Sequence, residues 1–113
     1  MGLLAFGINH KSASVALRER VSFAPEVLPS ALMAACQATG LRELALISTC
    51  NRTEFYAASE APEATAVALL DWLAKHQQLP NPELSAVAYH FTAEKAVQHA
   101  MRVAAGLDSM ILG

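Results

Sequence analysis

Only two residues, Cys50 and Asn51, separate two runs that both read as β-strands. Residues 44–49 form a short, mostly apolar stretch. Residues 52–58 alternate, with Thr53, Phe55 and Ala57 on one face and Arg52, Glu54 and Tyr56 on the other. A link of this length fits a tight hairpin connection, and Asn tolerates the positive φ that such turns need. The thiol of Cys50 therefore sits at an edge, where one strand ends and the next begins, flanked by a hydroxyl and by both signs of charge.

The remaining elements arrange themselves around this hairpin. Residues 3–9 read as a first strand ending in a polar Asn9-His10-Lys11-Ser12 turn. Ser14 is placed to cap a short helix through residue 20. A second helix starts at residue 25 or 26 and runs to 39, with Gly40 as its stop and Leu28, Leu32, Ala35 and Cys36 on one face. Pro29 either kinks its first turn or opens the helix itself. Pro62 opens a helix through residue 77, striped by Ala66, Leu69, Leu70 and Leu73. Residues 79–82 read as a loop and 86–91 as a fourth strand. Thr92 suits the N-cap of a last helix and Glu94 its positive end, with a stop near Gly106. The order strand, helix, strand, strand, helix, strand, helix predicts an α+β chain. It is the ferredoxin-like βαββαβ pattern, an antiparallel sheet covered by helices on one face, plus an additional C-terminal helix.

Size and composition narrow the function classes. A length of 113 residues allows one domain with a single core. The hydrophobic share of 54% exceeds the usual ~45–50%, and the surplus is expected to meet something outside this chain. A net charge of −2 with no basic cluster argues against a stand-alone nucleic-acid binder. Cys36 and Cys50 lie far apart, with no CxxC spacing, and the four histidines form no HxxxH or HExxH pair, so no metal is expected. No signal peptide and no run of ~18–20 apolar residues is present, which predicts no membrane span and a cytoplasmic protein with reduced thiols. Residues 107–113 begin a new apolar segment and stop inside it, so the chain reads as a piece of a longer protein cut near a domain boundary.

Cys50 is the first candidate for chemistry. A thiolate attacks acyl carbons better than a hydroxyl does, and a nearby cation or histidine lowers its pKa. The competing reading is a small buried residue at a strand end. Cys36, on an apolar helix face, reads as core. His99 is the second candidate. It shares a stripe with Ala96, Val103 and Gly106, while Val97, Ala100, Met101 and Ala104 form another. A helix apolar on both sides is expected to be covered on both sides. His99 is then either a satisfied core histidine or a general acid or base. His10 is a weaker candidate, and His76 and His90 read as ordinary polar residues. Arg52 either pairs with Glu54 on the surface or grips a substrate carboxylate bidentately. Asp108 and Ser109 are either loop residues or part of a pocket mouth.

Three segments together resemble one family. Ser48-Thr49-Cys50-Asn51-Arg52-Thr53-Glu54 resembles the active-site segment of glutamyl-tRNA reductases, which open five-carbon tetrapyrrole synthesis. Gly7-Ile8-Asn9-His10-Lys11-Ser12-Ala13 resembles the family's N-terminal strand and turn, and residues 99–113 resemble its histidine segment. The resemblance implies that Cys50 attacks the ester joining glutamate to its tRNA and that NADPH reduces the resulting thioester to glutamate-1-semialdehyde. His99 takes the place of the histidine that assists acyl transfer. Arg52 matches the residue holding the glutamate carboxylate, and Thr49 and Ser109 match positions lining the glutamate pocket. A planar guanidinium suits selection of a carboxylate over a neutral amide.

The resemblance also implies what lies elsewhere. Residues 1–113 correspond to the catalytic, glutamate-recognising domain. The family's NADPH-binding and helical dimerisation domains have no counterpart here, and no GxGxxG fingerprint occurs. The chain alone is expected to form the thioester or hydrolyse it slowly without completing the reduction. Implied partners are glutamyl-tRNA, a second copy in a full-length homodimer, and glutamate-1-semialdehyde aminomutase as the next enzyme. The rivals are a non-catalytic ferredoxin-like interaction module and a small cysteine esterase.

Overall fold

The computed structural model describes residues 2–106. Strand β1 (Gly2–Asn9) ends in a turn that Asn9 closes on itself. Its Oδ1 accepts from the backbone N–H of Lys11 at 2.9 Å and of Ser12 at 3.2 Å. Helix α1 (Val15–Val21) starts where the sequence places it, because Ser14 Oγ accepts from the N–H of Leu17 at 3.2 Å. The proline pair resolves without a kink: a 3-10 turn (Pro25–Val27) leads into α2 (Leu28–Thr39). Pro29 occupies the first turn of α2, where its missing N–H has no helical partner to lose. Gly40 ends α2 at φ 74°, in the left-handed region.

Strands β2 (Leu44–Ser48) and β3 (Arg52–Ser59) form the hairpin. Then come α3 (Pro62–His76), α4 (Asn81–Ser85), β4 (Tyr89–Thr92) and α5 (Ala93–Ala104). The segment read as a loop thus begins a short helix, and the fourth strand starts three residues late. Pro82 fits the first turn of α4, and fully buried Leu84 pins that helix to the core. The N–H groups of Val87 and Ala88 turn back to the carbonyl of Leu84, which delays the strand. A short apolar run does not by itself distinguish these outcomes. Thr92 does occupy the N-cap of α5, but its side chain makes no capping hydrogen bond.

The sheet is antiparallel throughout, in the order β2-β3-β1-β4, which is the ferredoxin-like topology. Its register sets Phe6 opposite Phe55 and Gly7 opposite Glu54. Successive residues face opposite sides, so the two faces differ sharply. One carries Leu4, Phe6, Ile8 and Phe55 against Leu69 and Leu73 of α3, with Ala31 and Ala35 of α2 completing the core. Cys36, read as a core residue, is only half-buried. The expectation of helices on one face holds for α2 and α3 only. Helix α5 lies on the opposite face, where its His99 reaches Glu54. Its outer stripe is only partly covered within the described residues, contrary to expectation: Val97 is 46% and Met101 67% exposed.

Gly7 makes this second face possible. A Cβ there would lie 2.2 Å from the carbonyl oxygen of Thr53 and 2.8 Å from Cα of Glu54. Only a residue without a side chain fits above Glu54, so the central strands leave room for one carboxylate and nothing beside it.

Candidate functional site: a hairpin-tip thiol and a buried carboxylate network

The β2–β3 hairpin turns over Cys50 and Asn51 as its sequence indicates, although Asn51 does not adopt the positive φ expected of it. Thr49 N–H donates to the carbonyl of Arg52 at 2.8 Å, and Asn51 N–H to Oγ1 of Thr49 at 3.2 Å. Cys50 is exposed at the tip, which overturns the reading of a buried strand-end thiol. It opens onto a cavity of about 360 Å³ lined also by Thr49, Ser48, Phe23 and Arg18. Ser48 braces this wall, since its Oγ accepts from the N–H of Phe23 at 2.8 Å and lies 3.3 Å from Oγ1 of Thr53.

Two residues beyond the turn, the chain goes under α5. Arg52 is 5% exposed and Glu54 is 0% exposed, so their pair is buried rather than on the surface. Nη1 of Arg52 lies 3.3 Å from Oε2 of Glu54. The same oxygen lies 2.5 Å from Nε2 of His99 and accepts from the hydroxyl of Tyr89. The other oxygen accepts from the hydroxyl of Tyr56 at 2.9 Å. A buried carboxylate is tolerable only when its lone pairs are used, and three hydrogen-bonding groups and one cation from three elements converge on this one. Burial first, and then the charge of Glu54, push the Tyr89 phenol above its ordinary value, so it stays a donor.

His99 is nearly buried, held between Glu54 and the ring of Phe91, whose centroid is 4.8 Å away. It lines a second cavity of about 550 Å³, together with Tyr89 and Phe91. Lys11, Lys95 and Arg102 also line it. Three of the chain's eight basic residues thus gather at one place, although the net charge is −2.

The residues singled out from sequence fall into distinct positions. Arg52 and His99 meet through Glu54. Cys50 and Thr49 sit at the hairpin tip, and Cys50 and His99 line different cavities. His99 is buried and hydrogen-bonded to Glu54, as a satisfied histidine would be. Ser109 and Asp108 lie outside the described residues. His90 pairs with Glu63 at 2.7 Å, and His76 stacks on Trp72 with centroids 4.6 Å apart. Sequence reading passed over Glu54 and Tyr89 as site residues. A signal existed: alternation puts Glu54 between Arg52 and Tyr56 on one face of a strand that the βαββαβ order makes central. A charge there, under a further helix, must be paired.

Among the described residues, no group of three or more His, Cys, Asp or Glu is placed to hold a metal, and no helix is long and apolar enough to cross a membrane.

Comparison with known proteins agrees with this architecture. The family described as "Glutamyl-tRNAGlu reductase, N-terminal domain" matches residues 6–113. Glutamyl-tRNA reductases of Pseudomonas aeruginosa and Stutzerimonas stutzeri are 53% and 51% identical over all 113 residues. The chain spans 26% of the length of these curated relatives. In the solved glutamyl-tRNA reductase from Methanopyrus kandleri, 96% of this chain superposes on 23% of that one, with a TM-score of 0.68 and 28% identity. Matched along almost its whole length in sequence and in fold, the chain belongs to the glutamyl-tRNA reductase family and corresponds to its N-terminal domain.

Proposed function

We propose that this chain is the catalytic, glutamate-recognising domain of an NADPH-dependent glutamyl-tRNA reductase. The observation that carries the reading is the exposed Cys50 on a hydrogen-bonded two-residue turn, two positions from a buried Arg52 that is itself paired with Glu54. In the proposed step, the Cys50 thiolate bonds to the glutamyl carbonyl carbon. The ester C–O bond breaks, and the ribose oxygen takes up a proton. Arg52, with Thr49 and Ser109, recognises the glutamate side chain. His99 handles the proton of the ribose oxygen rather than of the thiol, a division supported by its separate cavity. The three cations around that cavity give the adjoining phosphates of the acceptor end a footing.

The described residues do not suit a nicotinamide cofactor. No two neighbouring strands of the described sheet run parallel, and the chain has no glycine-rich strand-to-helix turn. Acyl transfer is therefore the half of the reaction assigned to this chain. Reduction of the thioester by NADPH, yielding glutamate-1-semialdehyde, is assigned to further domains of a full-length protein. That protein is proposed to be a cytoplasmic homodimer that passes its product to glutamate-1-semialdehyde aminomutase.

The test is acid-quenched mass spectrometry after mixing with glutamyl-tRNA. A glutamyl adduct on Cys50, absent in Cys50→Ser and with glutaminyl-tRNA, is the expected result. No adduct on the full-length protein overturns the reading. Turnover of simple esters without tRNA favours an esterase instead.

A further inference from the structure

The cavity that Cys50 opens onto is closed on one side by residues that belong to no regular element. Ser22 and Phe23 lie between α1 and the 3-10 turn, and both line it. They are held from α3. The side-chain amide of Gln77, at the C-terminal end of that helix, donates to the carbonyl of Val21 at 2.6 Å and to that of Ser22 at 3.1 Å. We propose that Gln77 is a positioning residue for Cys50: it fastens the segment after α1 to α3, and that segment sets the wall of the thiol's cavity.

Val21 ends α1, so its carbonyl is among the last four of that helix and has no partner within it. A carbonyl can only accept, and the amide nitrogen of Gln77 carries two hydrogens to give. Helix α3 stops at this point: Gln77 is its C-cap, and Gln78 follows at φ 57°, in the left-handed region. The helix itself is fixed, since Leu69 and Leu73 are fully buried and Trp72 meets Phe55 edge-on at 6.0 Å. The ring of Phe23 seats against the same helix, with centroids 6.2 Å from Trp72 and 5.6 Å from His76. Its backbone N–H donates to Oγ of Ser48 at 2.8 Å, and Ser48 ends β2 just before Thr49 and Cys50. A continuous path of contacts thus runs from Gln77 through residues 21–23 to the strand that carries the hairpin tip. Val21 is itself buried, so α1 keeps its place without the amide, and what Gln77 fixes is the course of the chain after it. A second tie on α1, Arg20 to Glu83 at 3.2 Å, is exposed on both sides and screened by water, so it holds the segment weakly. An acyl carbon reaches Cys50 past this wall, and a displacement of ~1 Å near reacting atoms is enough to slow a reaction ~10²-fold.

The catalytic consequence rests on the acyl-transfer reading, so the test has two arms, both on the full-length protein. The first is hydrogen exchange followed by mass spectrometry. Gln77→Met, of similar length but without a donor, is expected to raise exchange in peptides covering residues 21–24 by ~10-fold, with peptides of β1 unchanged. Unchanged exchange at 21–24 overturns the proposal whatever the activity. The second arm is the single-turnover rate of Cys50 thioester formation. Gln77→Met and Gln77→Glu, whose oxygens would face two carbonyl oxygens, are expected to slow it by ~10–10²-fold while binding of glutamyl-tRNA changes by less than ~2-fold. Gln77→Lys restores an N–H donor of similar reach and is expected to keep the rate within ~3-fold of wild type. A role in packing alone predicts the reverse order, with Met tolerated and Lys not. That order, or an unchanged rate in Gln77→Met, overturns the proposal. Should Gln77→Met fail to fold, Gln77→Asn takes its place: it stays polar but falls one methylene short, and the same two effects are expected. If the wild-type protein forms no thioester, the acyl-transfer reading falls and the exchange arm still decides whether Gln77 holds the wall.

Discussion

The two faces of the sheet are built from the same four strands and do opposite work. Under α2 and α3, Leu4, Phe6, Ile8 and Phe55 join one apolar cluster. Under α5, one residue earlier along β3, a carboxylate collects four polar partners. Both faces are buried, so burial alone does not separate structure from function. The separation comes from what each burial requires. Apolar packing tolerates exchange of shape for similar shape. A buried charge network tolerates no missing member, because each partner lost leaves another unsatisfied. A strand that alternates between these regimes ties the stability of the domain to the geometry of its site.

The largest effect should come from the apolar face. Phe55 is fully buried, with Trp72 edge-on at 6.0 Å and Phe6 at 6.2 Å. Phe55→Ala is expected to cost ~3–5 kcal/mol in urea denaturation. A loss below ~1 kcal/mol would mean that this face is not the core that holds the sheet. Next comes the point where the faces share backbone. Gly7→Ala places a Cβ 2.2 Å from a carbonyl oxygen, and backbone cannot move aside as a side chain does. A cost of roughly 1–3 kcal/mol or more is expected. Because the clash includes Glu54, the His99 ring resonances should shift as well. Destabilisation without any change at His99 would uncouple the two faces.

How much of this was legible beforehand also divides along the same line. The hairpin, the turn at Asn9 and the caps at Ser14 and Gly40 follow from local chemistry, and each formed where the residues indicated. The βαββαβ order then supplied the topology. The exposed thiol was readable for the same reason, since a two-residue turn must place its residues at an edge. The Glu54 network was not read, because its members come from positions 52, 54, 56, 89 and 99, and only the register of β1 between β3 and β4 brings Tyr89 beside Glu54. The delayed start of β4 hid it further: with that strand read from residue 86, Tyr89 had no marked place in it. The outer stripe of α5 failed for another reason. An apolar stripe reports that something covers a helix, and nothing in the pattern tells whether that cover belongs to the same chain.

The polar face makes its own prediction in base. The Tyr89 phenol is pushed up by burial and by Glu54, so the folded state resists its ionisation while the unfolded chain ionises near pH 10. Stability from this group is therefore complete below pH ~10 and declines above it, by at most about 1.4 kcal/mol per pH unit. Tyr89→Phe should flatten that decline in denaturation curves between pH ~9 and ~11. An identical slope in the variant would assign alkaline sensitivity to other groups.

The smallest effect belongs to the outer surface of α5. Met101 is 67% exposed. Met101→Gln keeps a good helix former and removes apolar area only from the solvent side, so the stability of this chain should change by less than ~0.5 kcal/mol. The comparison sharpens if the same substitution is made in a full-length protein. Were α5 covered there, the variant would lose the burial that this chain never shows, about 1–2 kcal/mol for a side chain of this size. A null effect in both settings would leave the stripe a solvent face. A loss in the longer protein alone would make α5 a two-sided element, with the carboxylate network on one side and a neighbouring domain on the other.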